Sequence, residues 1–128
     1  MEAVARQLAT GRRALVIRNG FFSYRWSQIL EVGAITDDVT VLTARPTQAT
    51  HPSPWAPPPV EEVVAAIAEQ RPGLVLAAHV ETASGMLLPD DYLRAVAQAT
   101  RDAGGLFVLD CIASGALWVD MTDLGVDL

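Results

Sequence analysis

Two polar segments of the chain follow apolar runs, at points where a sheet could position reactive or ligand-binding side chains. His79-Val80-Glu81-Thr82-Ala83-Ser84-Gly85 ends the apolar run that begins at Leu74, and Asp110-Cys111-Ile112-Ala113-Ser114 follows Leu106-Phe107-Val108-Leu109. These segments carry carboxylates, hydroxyls, an imidazole and a thiol, which can hydrogen-bond a small polar ligand. In open α/β sheets, ligands bind beyond the carboxyl ends of the strands. We therefore expect the functional site where these two runs end.

Metal binding and nucleophilic catalysis are both disfavoured by the residues present. His79 and His51 are the only histidines, and no ligand spacing links them, so we interpret His79 as structural. Cys111 has no identifiable histidine partner and is interpreted as a packed thiol rather than a nucleophile. It is also the only cysteine. No internal disulfide is possible, and we expect a reducing cytoplasm.

Charge and hydropathy disfavour nucleic-acid and membrane partners. The formal net charge is −6, and the nine basic residues are scattered along the chain, whereas a nucleic-acid surface needs clustered cations. No apolar stretch approaches the roughly 20 residues that a helix needs to cross a bilayer. The first ten residues lack the basic start and apolar run of a secretory signal.

Strand and helix patterns alternate along the chain. Helical spacing of apolar residues predicts helices over 2–10, 22–32, 60–70 and 90–103, and apolar runs predict strands at 14–17, 39–42, 74–80 and 106–109. The prolines between Arg45 and Pro59 predict a loop or surface strap, and residues 125–128 resemble the start of a further strand. Strands that are apolar on both sides need helices on both faces. The sequence thus predicts an α/β fold, a three-layer α/β/α arrangement with a mainly parallel sheet.

At the polar segments the chain resembles the class V aminotransferases. These are fold-type I enzymes that depend on pyridoxal 5'-phosphate (PLP), and they include the alanine:glyoxylate and serine:glyoxylate aminotransferases. The resemblance covers most of the chain and rests on the order and spacing of five anchors: Met1-Glu2-Ala3-Val4, Asn19-Gly20-Phe21-Phe22, His79 to Gly85, Leu109-Asp110 with Ala113-Ser114, and Gly125-Val126-Asp127. It implies that residues 1–128 are the central segment of a PLP-binding large domain.

The resemblance assigns two polar residues to the cofactor. Asp110 would lie beside the pyridine nitrogen and keep it protonated, so that the ring can accept electrons. The alternative is an aspartate that caps the turn after its strand. Thr82 would hydrogen-bond the 3-hydroxyl of PLP or groups on its phosphate side. Its alternative is a loop threonine that bonds its own backbone.

Two apolar residues would hold the faces of the cofactor ring. Phe22 matches the aromatic residue that stacks on one face in the family, with Phe21 as the alternative after a slip of one residue. Ile112 matches an aliphatic residue that packs against the opposite face. Without the resemblance, each would be interpreted as a core residue.

Three parts of the family's site are expected outside residues 1–128. They are the phosphate-binding turn before Met1, the Schiff-base lysine after Leu128, and the small domain with its carboxylate-binding arginine. The chain itself contains no lysine, because all nine residues in the Lys+Arg count are arginine. A transaminase needs the lysine as base, and arginine stays protonated near neutral pH. We therefore expect no catalytic residue within this chain, and no activity from it alone.

The resemblance implies that the full-length protein transfers the amino group of a small amino acid to a glyoxylate- or pyruvate-type 2-oxo acid, as a homodimer. Cysteine desulfurase-like, kynureninase-like or lyase chemistry on the same scaffold stays open, as does a non-catalytic fragment or pseudoenzyme. A nucleotide-binding α/β domain is disfavoured. The turn after the first strand reads Arg18-Asn19-Gly20-Phe21-Phe22 and offers no G-x-G-x-x-G phosphate turn.

Overall fold

The structure, a computed structural model, describes residues Met1–Leu128, in which five helices and eight strands occur. The helices are α1 (Glu2–Leu8), α2 (Phe21–Val32), α3 (Val60–Gln70), α4 (Asp90–Ala103) and α5 (Met121–Leu124). The strands are β1 (Ala14–Arg18), β2 (Val39–Thr43), β3 (Arg45–Pro46), β4 (Trp55–Ala56), β5 (Leu74–Ala78), β6 (Val80–Glu81), β7 (Met86–Leu87) and β8 (Leu106–Asp110). None of the helices has both the length and the apolar character that crossing a bilayer requires.

The four longer strands form one parallel sheet in the order β2-β1-β5-β8. The two central strands pair from Ala14 opposite Leu74 to Ile17 opposite Ala77. All five residues of β5 are buried, because helices cover both faces of the sheet, as parallel sheets require. The prediction of a mainly parallel sheet is confirmed.

Helices cover the two faces of the sheet as two separate apolar clusters. Successive side chains of a strand point to opposite faces. Leu15 and Ile17 of β1 therefore pack in one cluster with residues of α3 and α4, whereas Val16 packs in the other with Trp26 of α2 and Ala5 of α1. The sheet with helices on both sides is the predicted three-layer α/β/α arrangement.

The predicted strand over 74–80 ends two residues early, at Ala78. His79 lies in a bend. Its N–H donates to the carbonyl of Asp110 at 3.0 Å, and its carbonyl accepts from the N–H of Leu88 at 2.9 Å. The chain then forms an antiparallel hairpin from β6 and β7. An uninterrupted apolar run cannot indicate this change of direction. The hairpin brings the polar residues after β5 to the carboxyl edge of the sheet.

The proline-rich segment after Arg45 crosses the surface, as predicted, and adds a short antiparallel pair of β3 and β4. Its far end is fastened to α4, because the hydroxyl of Tyr92 donates to the carbonyl of Pro58 at 2.9 Å. Burial, reinforced by the charges of Glu62 and Glu61, raises the pKa of the Tyr92 phenol. The phenol therefore remains a hydrogen-bond donor over the whole physiological pH range.

Residues 125–128 run beside β8 without forming a regular strand. The N–H of Leu109 donates to the carbonyl of Leu128 at 2.8 Å, and the N–H of Asp127 donates to the carbonyl of Phe107 at 3.0 Å. A carboxylate oxygen of Asp127 also accepts from the N–H of Phe107 at 2.8 Å. Residues 125–128 thus lie where the further strand was predicted, beside β8, but they do not adopt regular strand geometry.

Candidate functional site

The four residues predicted to contact a cofactor lie at one edge of the sheet. Asp110 ends β8 and pairs in register with Ala78, which ends β5. Thr82 lies in the turn between β6 and β7, directly after β5, and Phe22 lies in the first turn of α2, directly after β1. Ile112 follows Asp110 by two residues. Because β1, β5 and β8 are parallel neighbours, their carboxyl ends bring these segments together.

Asp110 has one occupied and one free carboxylate oxygen. Oδ1 accepts a hydrogen bond from the N–H of Ile112 at 3.1 Å, which is the turn-capping contact of the alternative interpretation. Oδ2 accepts no hydrogen bond from the chain, and the side chain is half-buried. Asp110 can therefore cap its turn and bind a ligand at the same time.

A small cavity of about 180 Å³ begins at Asp110 and reaches the start of α1. Its lining consists of Met1, Val4 of α1, Trp26 of α2, the end of β8 with Cys111, and Leu128, and Asp110 is the only one of these residues with a charged side chain. The carboxylate and the amino end of α1 thus face one shared space. Thr82, Phe22 and Ile112 do not line this cavity, so it is not the place where the four predicted residues meet.

Phe22, Ile112 and Thr82 all leave part or most of their side chains open to solvent. Phe22 is 47% exposed and Ile112 is 89% exposed, so neither is a core residue. The ring of Phe22 contacts that of Phe21 edge-on, with 5.7 Å between their centroids. The hydroxyl of Thr82 is exposed and has no hydrogen-bond partner in the chain. The alternative in which Thr82 bonds its own backbone is therefore not the arrangement observed.

Glu81 is the residue that the sequence analysis missed. Its side chain is only 1% exposed, yet its carboxylate is fully partnered by the first turn of α2. Oε1 accepts from the N–H of Phe22 at 3.0 Å, and Oε2 accepts from the N–H of Ser23 at 2.8 Å and from its hydroxyl at 2.6 Å. Unpaired N–H groups and the positive end of the helix dipole both stabilise an anion at this position.

Gly20 makes room for this contact. A Cβ atom at position 20 would lie 2.7 Å from Cγ of Glu81, which is closer than nonbonded carbon atoms approach. The φ angle of Gly20 is 175°, which any residue adopts, so the requirement is space rather than handedness. A helix start without a capping side chain, together with a charged residue just after a buried strand, is the signal that could have revealed Glu81.

His79 joins the two polar segments to each other. It is buried, and its Nδ1 lies 2.8 Å from the hydroxyl oxygen of Ser114. Burial lowers the pKa of His79, and the nearby charge of Asp90 opposes that shift only in part. A neutral, buried imidazole bonded to a serine agrees with the structural role predicted for it.

Cys111 does not pack in the core. It is a free, exposed cysteine, so the prediction of a packed thiol is wrong. The reason is that β8 and its burial end at Asp110, and the next side chain points away from the sheet.

The fold is an α/β fold of the kind found in aminotransferases. No protein-family model matches the chain. Among curated proteins, the L-aspartate–glyoxylate aminotransferase of Paracoccus denitrificans is 28% identical over 130 residues, which cover 98% of this chain and 30% of that protein. This similarity extends over nearly the whole chain.

Solved structures of two related enzymes superpose on the chain. The alanine–glyoxylate aminotransferase of Nostoc sp. has a TM-score of 0.77 at 25% identity, covering 99% of this chain and 31% of that one. The ureidoglycine–glyoxylate aminotransferase of Bacillus subtilis also has a TM-score of 0.77, at 24% identity, covering 98% of this chain and 30% of that one. The latter similarity supports the fold alone.

Homologues of this chain are therefore glyoxylate aminotransferases, and the resemblance to the class V aminotransferases is confirmed. The chain spans about 30% of the length of the curated relative and of these solved structures.

Proposed function

We propose that this chain is the central segment of the PLP-binding large domain of an aminotransferase. The complete protein would transfer the amino group of a small amino acid to a glyoxylate- or pyruvate-type 2-oxo acid. The observation that carries the proposal is Asp110, whose carboxylate keeps one oxygen free at the carboxyl edge that also presents Thr82 and Phe22. The homologous glyoxylate aminotransferases support the reaction type.

The residues at this edge fit PLP by their chemistry. The cofactor has a basic ring nitrogen, a ring hydroxyl and two apolar ring faces, and the chain offers a carboxylate with a free oxygen, a hydroxyl without a partner, and two exposed apolar side chains. When bound, PLP supplies an electron sink for the carbon that carries the amino group. Catalysis by a nucleophile and an adjacent base, without a cofactor, would need a different set of residues.

Each of the four residues has one task in this proposal. Asp110 holds a proton on the ring nitrogen, because an adjacent carboxylate favours the charged form of that nitrogen. Thr82 orients the ring by a hydrogen bond from or to its hydroxyl. Phe22 and Ile112 bury the two ring faces and exclude water, and their exposure leaves them free to do so.

The remaining groups would come from other parts of the complete protein. The proton transfer at the substrate needs a base with a pKa near neutrality, and a lysine is the family's solution, but this chain has none. The segment after β8 presents exposed apolar side chains, including Leu117, Trp118 and Met121. Such a surface supports the proposal that further chain and a second subunit cover it in a homodimer. The one free cysteine is consistent with a reducing cytoplasm as the location.

Sequencing the coding region downstream of Leu128 is the first test. A serine-x-x-glutamine-lysine stretch soon after Leu128 is the expected result, since it would supply the missing lysine. A stop codon before any lysine would contradict the proposal of an active aminotransferase and favour a non-catalytic fragment.

Activity of the complete protein is the second test. Purified with PLP and given alanine, serine or aspartate with glyoxylate, it should form glycine and the matching keto acid, measured by chromatography. The 128-residue chain alone should form neither. Turnover by the chain alone, or PLP-independent turnover by the complete protein, would contradict the proposal.

A further inference from the structure

We propose that Glu81 is a positioning residue that fixes Phe22 relative to Thr82, and so sets the gap into which the cofactor ring fits. The inference rests on the proposed function, because it assumes that both residues contact that ring. It concerns a residue that touches neither cofactor nor substrate and acts only through its neighbours.

The hydrogen bonds of Glu81 cross from one element of the site to the other. Glu81 ends β6, and Thr82 is the next residue along the chain. The two carboxylate oxygens of Glu81 accept from the N–H groups of Phe22 and Ser23 at 3.0 and 2.8 Å. The backbone of Phe22 is therefore bonded directly to the residue that precedes Thr82. The bond from Ser23 to Glu81 likewise joins positions that are 58 apart in the sequence.

Ser23 extends this connection back to the end of β1. Its hydroxyl oxygen accepts from the N–H groups of Asn19 and Gly20 at 2.9 and 3.0 Å, and its hydroxyl donates to Glu81 at 2.6 Å. The residues that lead into α2, the first turn of that helix and the β6–β7 hairpin thus form one hydrogen-bonded unit. Charge-assisted bonds of this kind are shorter and stronger than neutral ones.

A local cap would have been sufficient if the only need were to start the helix. Serine, threonine, aspartate or asparagine at the N-cap binds the first N–H groups of a helix from within the same segment. Here the N-cap is Gly20, which has no side chain, and the cap comes from the turn that carries Thr82. Capping from that turn adds a constraint that a local cap lacks: it fixes the distance between two parts of the site.

Glu81→Gln in the complete protein is the decisive variant. Glutamine keeps the size of the side chain, but its NH₂ group must face a backbone N–H, so at least one of the three bonds from α2 is lost. We expect PLP affinity to fall about tenfold, and the amides of Phe22 and Ser23 to exchange with solvent about tenfold faster. Glu62→Gln is the matched control, because Glu62 also lies in the first turn of a helix but pairs with Arg45 at the surface. It should change neither quantity.

A double-mutant cycle separates positioning from general stabilisation. Phe22→Ala should weaken PLP binding about tenfold in the native protein, and less than about threefold in the Glu81→Gln background, because the ring is already misplaced there. Ser23→Ala, which removes only the hydroxyl, is a milder variant that should show the same trend if Glu81→Gln folds poorly. PLP binding is measured by absorbance titration, and folding by circular dichroism.

Each outcome bears on one of the two proposals. Binding that weakens with Glu81→Gln, faster exchange at Phe22 and Ser23, and a reduced effect of Phe22→Ala together support the positioning role. Native PLP affinity in Glu81→Gln, unchanged exchange, or an equal effect of Phe22→Ala in both backgrounds overturns the inference and leaves the proposed function standing. Failure of the native complete protein to bind PLP overturns the proposed function and this inference with it.

Discussion

The turn after β5 and the segment after β8 lie at the same edge of the sheet, yet they are held in very different ways. After β5, the buried carboxylate of Glu81 accepts three hydrogen bonds from α2, and the hairpin of β6 and β7 closes behind it. After β8, residues 111–120 form no helix or strand, and Ile112 and Trp118 are 89% and 97% exposed. One half of the candidate site is fixed by this chain's own contacts.

The difference separates what this chain arranges by itself from what needs other partners. The backbone N–H of Phe22 is bonded to Glu81, the residue before Thr82. Over residues 111–118, in contrast, the hydrogen bonds are short turn bonds to Ile112, Ser114 and Leu117 and the single longer-range pair of His79 with Ser114. We infer that the β5 side of the site is preorganised and that the β8 side is completed by additional protein surface. Substitutions on the two sides should therefore differ in kind.

The largest effect is expected at Asp110. Asp110→Asn keeps the side chain's shape and its turn bond but removes the charge that would hold a proton on the ring nitrogen. We expect kcat of the complete protein to fall about a thousandfold, which corresponds to about 4 kcal/mol, with little change in thermal stability. Asp91→Asn, which alters an exposed carboxylate on α4, is the control. Native turnover in Asp110→Asn would show that Asp110 only caps its turn.

The next effect concerns stability on the β5 side. Glu81→Ala leaves the N–H groups of Phe22 and Ser23 without their partner at a buried position. We expect a loss of about 3 kcal/mol in the free energy of unfolding, measured by urea denaturation. Glu62→Ala should cost less than about 1 kcal/mol, as exposed ion pairs do. Equal losses in the two variants would mean that the β5 side is no better fixed than the surface.

A smaller effect on the free energy of unfolding is expected from pH, through His79, which connects the two sides by its bond to Ser114. Burial lowers the pKa of His79 below its ordinary value of 6.5. As the pH falls below 6.5, the unfolded chain therefore takes up this proton before the folded chain does, and the folded state loses stability. Above that pH, His79 no longer makes the stability of the folded state depend on pH. Unfolding measured between about pH 5 and 7 should show a shallower decline for His79→Gln than for the native chain.

His51→Gln is the control for this pH effect, because His51 lies exposed in the proline-rich segment. Comparing its slope of stability against pH with that of His79→Gln separates the buried imidazole from an exposed one. A native slope in His79→Gln would assign the decline to other groups.

The smallest effect is expected on the β8 side. Ile112→Ala and Trp118→Ala remove exposed side chains, so each should change the unfolding free energy of the 128-residue chain by less than about 0.5 kcal/mol. In the complete protein, the same substitutions should weaken PLP binding or dimer formation, measured by absorbance titration and sedimentation. A large destabilisation in the isolated chain would remove the contrast between the two sides.

Much of the fold follows from local sequence signals. Continuous apolar runs such as Leu106 to Leu109 predict buried parallel strands, and apolar residues at helical spacing predict the helices that cover them. Both signals are short-range, and both elements were found where the patterns indicated. The bend at His79 was not predicted, because it depends on hydrogen bonds to Asp110 and Leu88 rather than on local composition.

The candidate site was predictable only in part. Asp110, Thr82 and Phe22 could be placed at one edge, since topology alone brings the ends of parallel strands together. Their roles still depend on the resemblance and remain proposals. Glu81 was missed because the helix start at Gly20 shows only that a capping side chain is lacking there, and does not indicate which distant residue supplies the cap. Cys111 was misplaced because an apolar strand gives no indication of where burial stops.

The space left by Gly20 has a consequence for how this chain can change over time. Because a Cβ atom there would lie 2.7 Å from Cγ of Glu81, position 20 cannot gain a side chain while Glu81 keeps its length and its bonds to α2. A larger residue at position 20 is tolerated only if position 81 becomes shorter, and that exchange gives up the bonds to α2. Relatives with a larger residue at position 20 are thereby expected to carry a shorter residue at position 81, a pattern of covariation that an alignment of relatives can reveal.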